Sequence, residues 1–309
     1  MITIVVAYFF PLAGRDDSPL PLDMIGSLGV SLIFFFYGLK LTREKLVAGL
    51  KNWPLHLVVQ ASTFLLFPII TLLFHPLMHD EHSVTIWLAF LFLAALPSTV
   101  SSSVVMVSMA KGNVPAAIFN ASISGLIGIV ITPLWMGIFL TQTTADFDLS
   151  EIYLKLLLEI LTPVTLGFLL QRFLGKYAQQ FSRQLSLFDR SVILLIIYKS
   201  FAASFDKHVF SSVKFGDLAV IFIAVTSLFY LVYYLIGYTT RALGFIREDR
   251  ITAQFCGTKK SLVHGTVFSK ILFQSSATIG IMLLPLMIFH ALQIFIISII
   301  ASRMGEETP

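Results

Sequence analysis

The sequence predicts an all-α, multi-pass membrane protein, and three observations carry that expectation. Hydrophobic residues make up 57% of the 309 residues and charged ones only 12%, against roughly a quarter charged in a soluble domain. Apolar runs of about 20 residues, the length a helix needs to cross the hydrocarbon core, recur from end to end. Short connections holding most of the charge separate these runs, and a helix satisfies its own backbone where no water can.

Taken in order, the runs place about ten spans, at 1–12, 22–41, 53–76, 85–111, 114–141, 151–173, 185–204, 217–241, 249–272 and 276–302. The first, MITIVVAYFFPLAG, lacks a basic n-region and a small-residue cleavage site, so it is expected to be a short first helix and not a signal peptide. Pro133, Pro163 and Pro285 fall inside runs, where kinks are expected. Glu159 is the one acid well inside a span, and Lys155, one turn earlier, is its expected partner.

Charge in the connections orients the spans. Those after spans two, four, six and eight carry Lys40, Arg43, Lys45, Lys51, Lys111, Arg172, Lys176, Arg183, Arg190, Arg241, Arg247 and Arg250, and Arg303 follows the last span. The others carry Asp16, Asp17, Asp23, Asp80, Glu81, Asp146, Asp148 and Glu151, and only in the seventh do Lys207 and Lys214 offset Asp206 and Asp217. The positive-inside rule then puts both termini in the cytoplasm. The net charge of +4 is scattered and forms no basic tract, so nucleic acid is not an expected partner and the lipid bilayer is. Cys256 is the only cysteine, which excludes an intrachain disulfide.

A faint repeat joins the halves. Gly128-Ile129 precedes Pro133-Leu134 in GIVITPL, and Gly280-Ile281 precedes Pro285-Leu286 at the same offset in GIMLLPL. With five spans per half, 1–141 and 142–309 would enter the membrane from opposite sides, as an inverted repeat. The span before each element is interrupted. In LPSTVSSSVVMVSMAKGN, Pro97 is followed by Ser98, Thr99, Ser101, Ser102 and Ser103; in FCGTKKSLVHG, Gly257 and Thr258 precede Lys259, Lys260, Ser261, His264 and Gly265. Broken backbone at membrane depth is tolerated only where protein or a water-filled cavity surrounds it, and paired interruptions point to a transport site.

The lysines need the strongest reason, because a buried lysine costs about 2.5 to 3.5 kcal/mol at a helix centre on insertion scales. They could snorkel to an interface, but Arg247, Glu248, Asp249 and Arg250 already mark the nearer end of the span. One ammonium of the two is therefore expected in a central cavity, facing an anionic substrate or standing in the place of a coupling cation. Neighbours on a helix point about 100° apart, so both could face it only if the backbone is unwound there. The hydroxyls from Ser98 to Ser103 are expected to line the same site, although small residues also serve close helix packing. Asn120, Ser122 and Ser124 recur at near-helical spacing and could join them, with packing an equal alternative. His264, one turn beyond Lys260, is either a proton relay or a structural histidine.

No HExxH, GxSxG, Walker loop or metal-spaced Cys/His pair occurs, so neither enzymatic activity nor a cofactor is expected. His75, His79 and His82 with Asp80 and Glu81 are expected as a solvated loop, not a divalent-ion site.

The stretches LPSTVSSS, AKGN, NASIS, GIVITPL, FCGTKKSLVHG and LPLMIFH together resemble the bile acid:sodium symporter superfamily, in particular its bacterial SBF-like branch, related to the seventh member of human solute carrier family ten. The resemblance covers about Pro21 to Arg303. It implies ten helices in two inverted five-helix repeats, and a bacterial inner-membrane location. It also implies a core domain of spans three to five and eight to ten, with spans four and nine unwound and crossing, and a panel domain of spans one, two, six and seven. Sodium-coupled members carry Ser-Asn at the span-four crossing and Glu-Thr-Gly-x-Gln-Asn at span nine. Here those places read Ser103-Val104 and Cys256-Gly257-Thr258-Lys259-Lys260-Ser261. The carboxylate is absent and lysine stands where amide oxygens would be, which argues against coupling to two sodium ions.

The expected function is secondary transport of a small or amphipathic organic anion by alternating access. A lysine would complement the anion's charge and could also carry a coupling proton. The alternatives are sodium symport through another oxygen set, such as Ser101, Ser103 and Thr258, or a membrane regulatory protein that does not transport.

Overall fold

The computed structural model describes residues 2–14, 18–41, 52–99, 101–143, 149–206, 215–273 and 276–306. Arg43, Lys45, Lys51, Asp16, Asp17, Asp146, Asp148, Lys207 and Lys214, used above to read loop charge, lie outside the described residues.

All regular structure among the described residues is helical. In chain order the α-helices are α1 (Ile2–Phe9), α2 (Leu22–Lys40), α3 (Trp53–Ala61), α4 (Phe67–Leu72), α5 (Glu81–Ala95), α6 (Ser101–Met109), α7 (Val114–Thr143), α8 (Leu149–Leu156), α9 (Thr162–Gln180), α10 (Ser182–Asp206), α11 (Phe215–Ala242), α12 (Arg247–Gly257), α13 (Leu262–Leu272) and α14 (Ser276–Glu306). Stretches of π-helix join α3 to α4 (Ser62–Leu66) and α8 to α9 (Leu157–Leu161).

Six helical segments among the described residues are long and apolar enough to cross a membrane: Leu22–Lys40, Trp53–Leu77, Val114–Leu140, Ser150–Gln180, Gly216–Ala242 and Ile279–Glu306. Large apolar side chains on them stand uncovered, among them Leu73, 71% exposed, and Tyr238, 74% exposed. The chain is a multi-pass integral membrane protein, and such side chains face lipid. The four other expected spans differ for visible reasons. α1 has eight residues and is about 12 Å long, well short of the hydrocarbon thickness. α10 carries Arg183, Asp189, Arg190, Lys199 and Asp206. The remaining two are each broken, into α5 and α6 and into α12 and α13.

Several residues expected in loops lie on helices. Arg172 and Lys176 belong to α9, and Arg183 and Arg190 to α10, with only Phe181 between the two helices. A helix keeps its backbone paired as it leaves the hydrocarbon, so nothing forces it to stop where the apolar run does.

Both π-helical stretches stand directly before a proline in the next helix, Pro68 in α4 and Pro163 in α9. Proline donates no N–H and crowds the carbonyl four residues earlier, and a widened turn accommodates both defects. The kink expected at Pro163 thus takes the form of a π-turn, whereas Pro133 and Pro285 lie within the continuous α7 and α14. The same turn corrects the partner expected for Glu159. Lys155 bonds instead to Glu151 at 2.8 Å, the favoured order of acid and base at this spacing, and Leu157–Leu161 shifts Glu159 off the regular helical row.

The chain forms two compact units: Met1–Arg43, Thr143–Lys214 and Thr266–Leu283 in one, and Glu44–Gln142, Phe215–Gly265 and Leu284–Pro309 in the other. In the first, α2 and α9 pack backbone to backbone through glycine. A Cβ on Gly38 would lie 2.2 Å from the Val164 carbonyl oxygen, and one on Gly167 2.1 Å from that of Phe35. No side chain can yield there, so close approach of this kind demands the smallest residue. Gly167→Ala is expected to force α2 and α9 apart and destabilise the protein by about 1 to 3 kcal/mol, read as a clear fall in the melting temperature in detergent. A melt unchanged from wild type would contradict this packing.

In the second unit, indole N–H groups tie α5 to α4 and α7 to the π-turn before α4. Trp87 donates to the Thr71 carbonyl at 2.9 Å and Trp135 to that of Phe64 at 2.8 Å. Each broken helix is followed along the chain by a long helix with an internal proline, α7 with 30 residues and α14 with 31.

Candidate functional site

The two breaks are built by local sequence. α5 begins on a capping box in which Asp80 accepts the Ser83 N–H at 3.0 Å; this bond holds the Asp80 carboxyl below its usual pKa. The helix ends before Pro97, which forces its predecessor Leu96 toward extended backbone. After the break, Ser101 opens α6; the side chain of Ser101 lies outside the described residues. α12 stops at Gly257, residues 258–261 are not helical, and Ser261 caps α13 by accepting the His264 N–H at 3.3 Å.

Direct bonds join one break to the other. The Ser261 N–H donates to the Pro97 carbonyl at 2.9 Å, and the Ser98 hydroxyl to that of Cys256 at 2.6 Å. The Ser98 N–H donates to the Ser124 hydroxyl at 2.9 Å, which brings α7 into the same place. Gly128 has a related reason: a Cβ there would lie 2.8 Å from the Pro97 ring.

Lys259 and Lys260 are both 0% exposed. Because the backbone between α12 and α13 is unwound, both ammonium groups reach the interruption of the other helix, yet they are held very differently. The Lys260 ammonium donates to the carbonyls of Thr63 at 2.7 Å, Ala94 at 2.6 Å and Leu96 at 2.9 Å. It also lies 4.2 Å from the centre of the Phe67 ring. Two of those carbonyls close α5, where helical geometry leaves acceptors without partners and concentrates negative potential. An ammonium has three donors, so Lys260 is saturated. Its backbone is also fixed: the N–H donates to Gln293 Oε1 and the carbonyl accepts from Gln293 Nε2, both at 2.8 Å.

Lys259 makes one such bond, to the Ser102 carbonyl at 2.8 Å. Among the described residues no carboxylate lies within 4.0 Å of either lysine. The Thr99 hydroxyl shares hydrogen bonds with those of Ser102 at 2.8 Å and Ser103 at 2.9 Å at the start of α6. One ammonium with donors to spare therefore sits beside a helix N-terminus and a hydroxyl cluster, with no carboxylate within 4.0 Å among the described residues. Such a place favours an anion.

The side chains of three further expected site residues are bonded to neighbouring groups. The Thr258 hydroxyl, just past the end of α12, donates back to the Gln254 carbonyl of that helix at 2.6 Å. Asn120 donates to the Ala116 carbonyl at 3.0 Å and accepts from Gln60 at 3.1 Å. His264 shares its Nδ1 with the Ser261 hydroxyl at 2.9 Å, next to the capping bond. His75 and His82 do not converge on a common point: His75 packs on Trp87 with ring centres 4.4 Å apart, and His82 pairs with Asp217 at 3.3 Å.

Gln293 escaped the sequence reading, although an amide alone in the apolar run HALQIFIIS was a legible signal. The carbonyls of Thr63, Ala94 and Leu96 left no signal, because every residue has one.

A profile of the SBF-like CPA transporter family matches residues 1–306. Among curated proteins, "Putative symporter YfeH" of Escherichia coli is 37% identical over 309 residues, covering 100% of this chain and 92% of the relative. "Uncharacterized protein PA2026" of Pseudomonas aeruginosa is 36% identical over 305 residues, covering 99% and 91%. "Sodium/bile acid cotransporter 7" of Rattus norvegicus is 30% identical over 304 residues, covering 97% and 89%.

Proposed function

Because the chain belongs to the SBF-like CPA transporter family, we propose that it moves a small organic anion by alternating access, with Lys259 meeting the substrate and Lys260 acting as a built-in cation. The unequal bonding of the two lysines carries this reading. Lys260 has all three donors on carbonyls, whereas Lys259 has one bond and no carboxylate partner. A carboxylate, sulfate or phosphate entering between Lys259 and the start of α6 would gain charge-assisted hydrogen bonds there.

Lys260 sits where a coupling cation would be useful, tying the end of α5 to the break before α13 by backbone carbonyls. A metal cation about 4 Å from a fixed ammonium is repelled by about 4 kcal/mol at an effective dielectric of 20. No carboxylate on either break offsets that repulsion. The coupling ion is then a proton carried by Lys259, which agrees with the symport named for the Escherichia coli relative.

The finer architecture belongs to the same proposal: ten spans in two inverted repeats, 1–141 and 142–309, with a panel of spans one, two, six and seven and a core of the rest. Two facts support it. Each half has a broken helix followed by a long proline-containing one, and the first compact unit takes in all four panel spans together with Thr266–Leu283. The charge of the connections supports an inner-membrane orientation with both termini in the cytoplasm.

Thermal stabilisation of the purified protein by carboxylates, sulfates and phosphate esters identifies the anion class, since a ligand stabilises only through its preference for the folded state. Uptake of the best ligand into proteoliposomes is expected to follow an imposed pH gradient and to be unchanged when an organic cation replaces sodium. Uptake that stops without sodium would overturn the coupling assignment.

A further inference from the structure

The first unit holds a second group of charged residues, of which Lys199 is buried. Asp23 opens α2, Lys199 lies near the end of α10, and Lys270 near the end of α13. The Lys199 ammonium, on a residue only 8% exposed, donates to the Asp23 carboxylate. The Lys270 ammonium donates to two neutral oxygens, the Asp23 carbonyl at 2.8 Å and the Ser27 hydroxyl at 2.7 Å. Gly26 makes room for it: a Cβ there would come within 3.1 Å of Lys270 Nζ.

These groups surround a cavity of about 100 Å³, lined by Asp23, Lys199, Ser200 and Lys270 with apolar walls from Leu195 and Phe273. A water occupies about 30 Å³ of liquid, so the space fits a carboxylate with a short alkyl stub. Among the described residues Lys270 makes no ion pair, and the nearest carboxylate, that of Asp23, is engaged by Lys199 and is 69% exposed, where water screens it. Glu159 attracts Lys270 only at longer range, with no ion pair among the described residues. Lys270 thus has a third donor to offer and a positive charge without a bonded counter-ion.

We infer that this cavity is a second anion site, which takes a small free monocarboxylate between Lys199 and Lys270 and works independently of Lys259. Acetate is the probe, with chloride at equal ionic strength as the control for screening. In lipid-free detergent, acetate is expected to raise the melting temperature of the full chain saturably and beyond chloride, both in wild type and in Lys259→Gln. In Lys270→Met the acetate response should need a roughly tenfold higher concentration, the loss of one charge-assisted hydrogen bond. Gly26→Val displaces the same ammonium without removing charge and should weaken the response in the same direction, which keeps the test decisive if Lys270→Met does not fold. Acetate acting no better than chloride on wild type overturns the inference. So does an unchanged acetate response in Gly26→Val and Lys270→Met, and so does a response lost in Lys259→Gln, which would assign the ligand to the helix breaks.

Discussion

Lys260→Met is expected to lower the stability of the protein by about 3 kcal/mol or more, and to leave much of it misfolded when expressed. Methionine matches the aliphatic stem of lysine, so volume changes little. What disappears is the donor set for three buried carbonyls, each of which costs about 1 to 3 kcal/mol when left unpaired. Removing a buried charge also relieves a desolvation penalty of several kcal/mol, which works in the opposite direction. The carbonyls decide the sign. Those of Ala94 and Leu96 lie at the end of α5 beside Pro97, which has no N–H to lend, and the residues there are fully buried. Thermal melts and size-exclusion profiles in detergent check this. Lys260→Arg should rescue only in part, because a planar guanidinium cannot reproduce three bonds converging on one atom. A Lys260→Met protein that melts like wild type would remove Lys260 from the structural role.

Lys259→Gln is expected to do the reverse: to keep the fold and lose transport. Its single hydrogen bond, to the Ser102 carbonyl, can be made by the amide of glutamine, so the melting temperature should shift by no more than a few degrees. The charge is gone, however, and an anion that relied on it loses about 1.5 to 3 kcal/mol, roughly tenfold or more in affinity. Uptake should fall at least as far, and the residual uptake should no longer depend on pH, because the group that carries the proton has been removed. Full, pH-dependent uptake by Lys259→Gln in proteoliposomes would show that coupling lies elsewhere.

The helix breaks were legible because Pro97, the serines after it and two lysines are each improbable in an apolar run, and their company is more so. The division of labour between the lysines was not. Lys259 and Lys260 are the same residue one position apart, and what separates them is the set of carbonyls that α5 and the π-turn before Pro68 bring to one ammonium. Backbone acceptors of that kind depend on tertiary packing and have no signature in residue type. Asp23 was read as loop charge and Lys270 received no role, since the residues that meet them come from α2, α10 and α13, far apart in the chain. The Lys155 partner was misassigned because spacing presumes a regular helix, and a proline four residues beyond Glu159 widened this one.

The most direct measurement is a calorimetric titration of the anion found by thermal screening into wild-type and Lys259→Gln protein of matched stability. An affinity at least roughly tenfold weaker in Lys259→Gln is the expected result. Equal affinities would mean that the buried ammonium at the helix breaks does not meet the substrate.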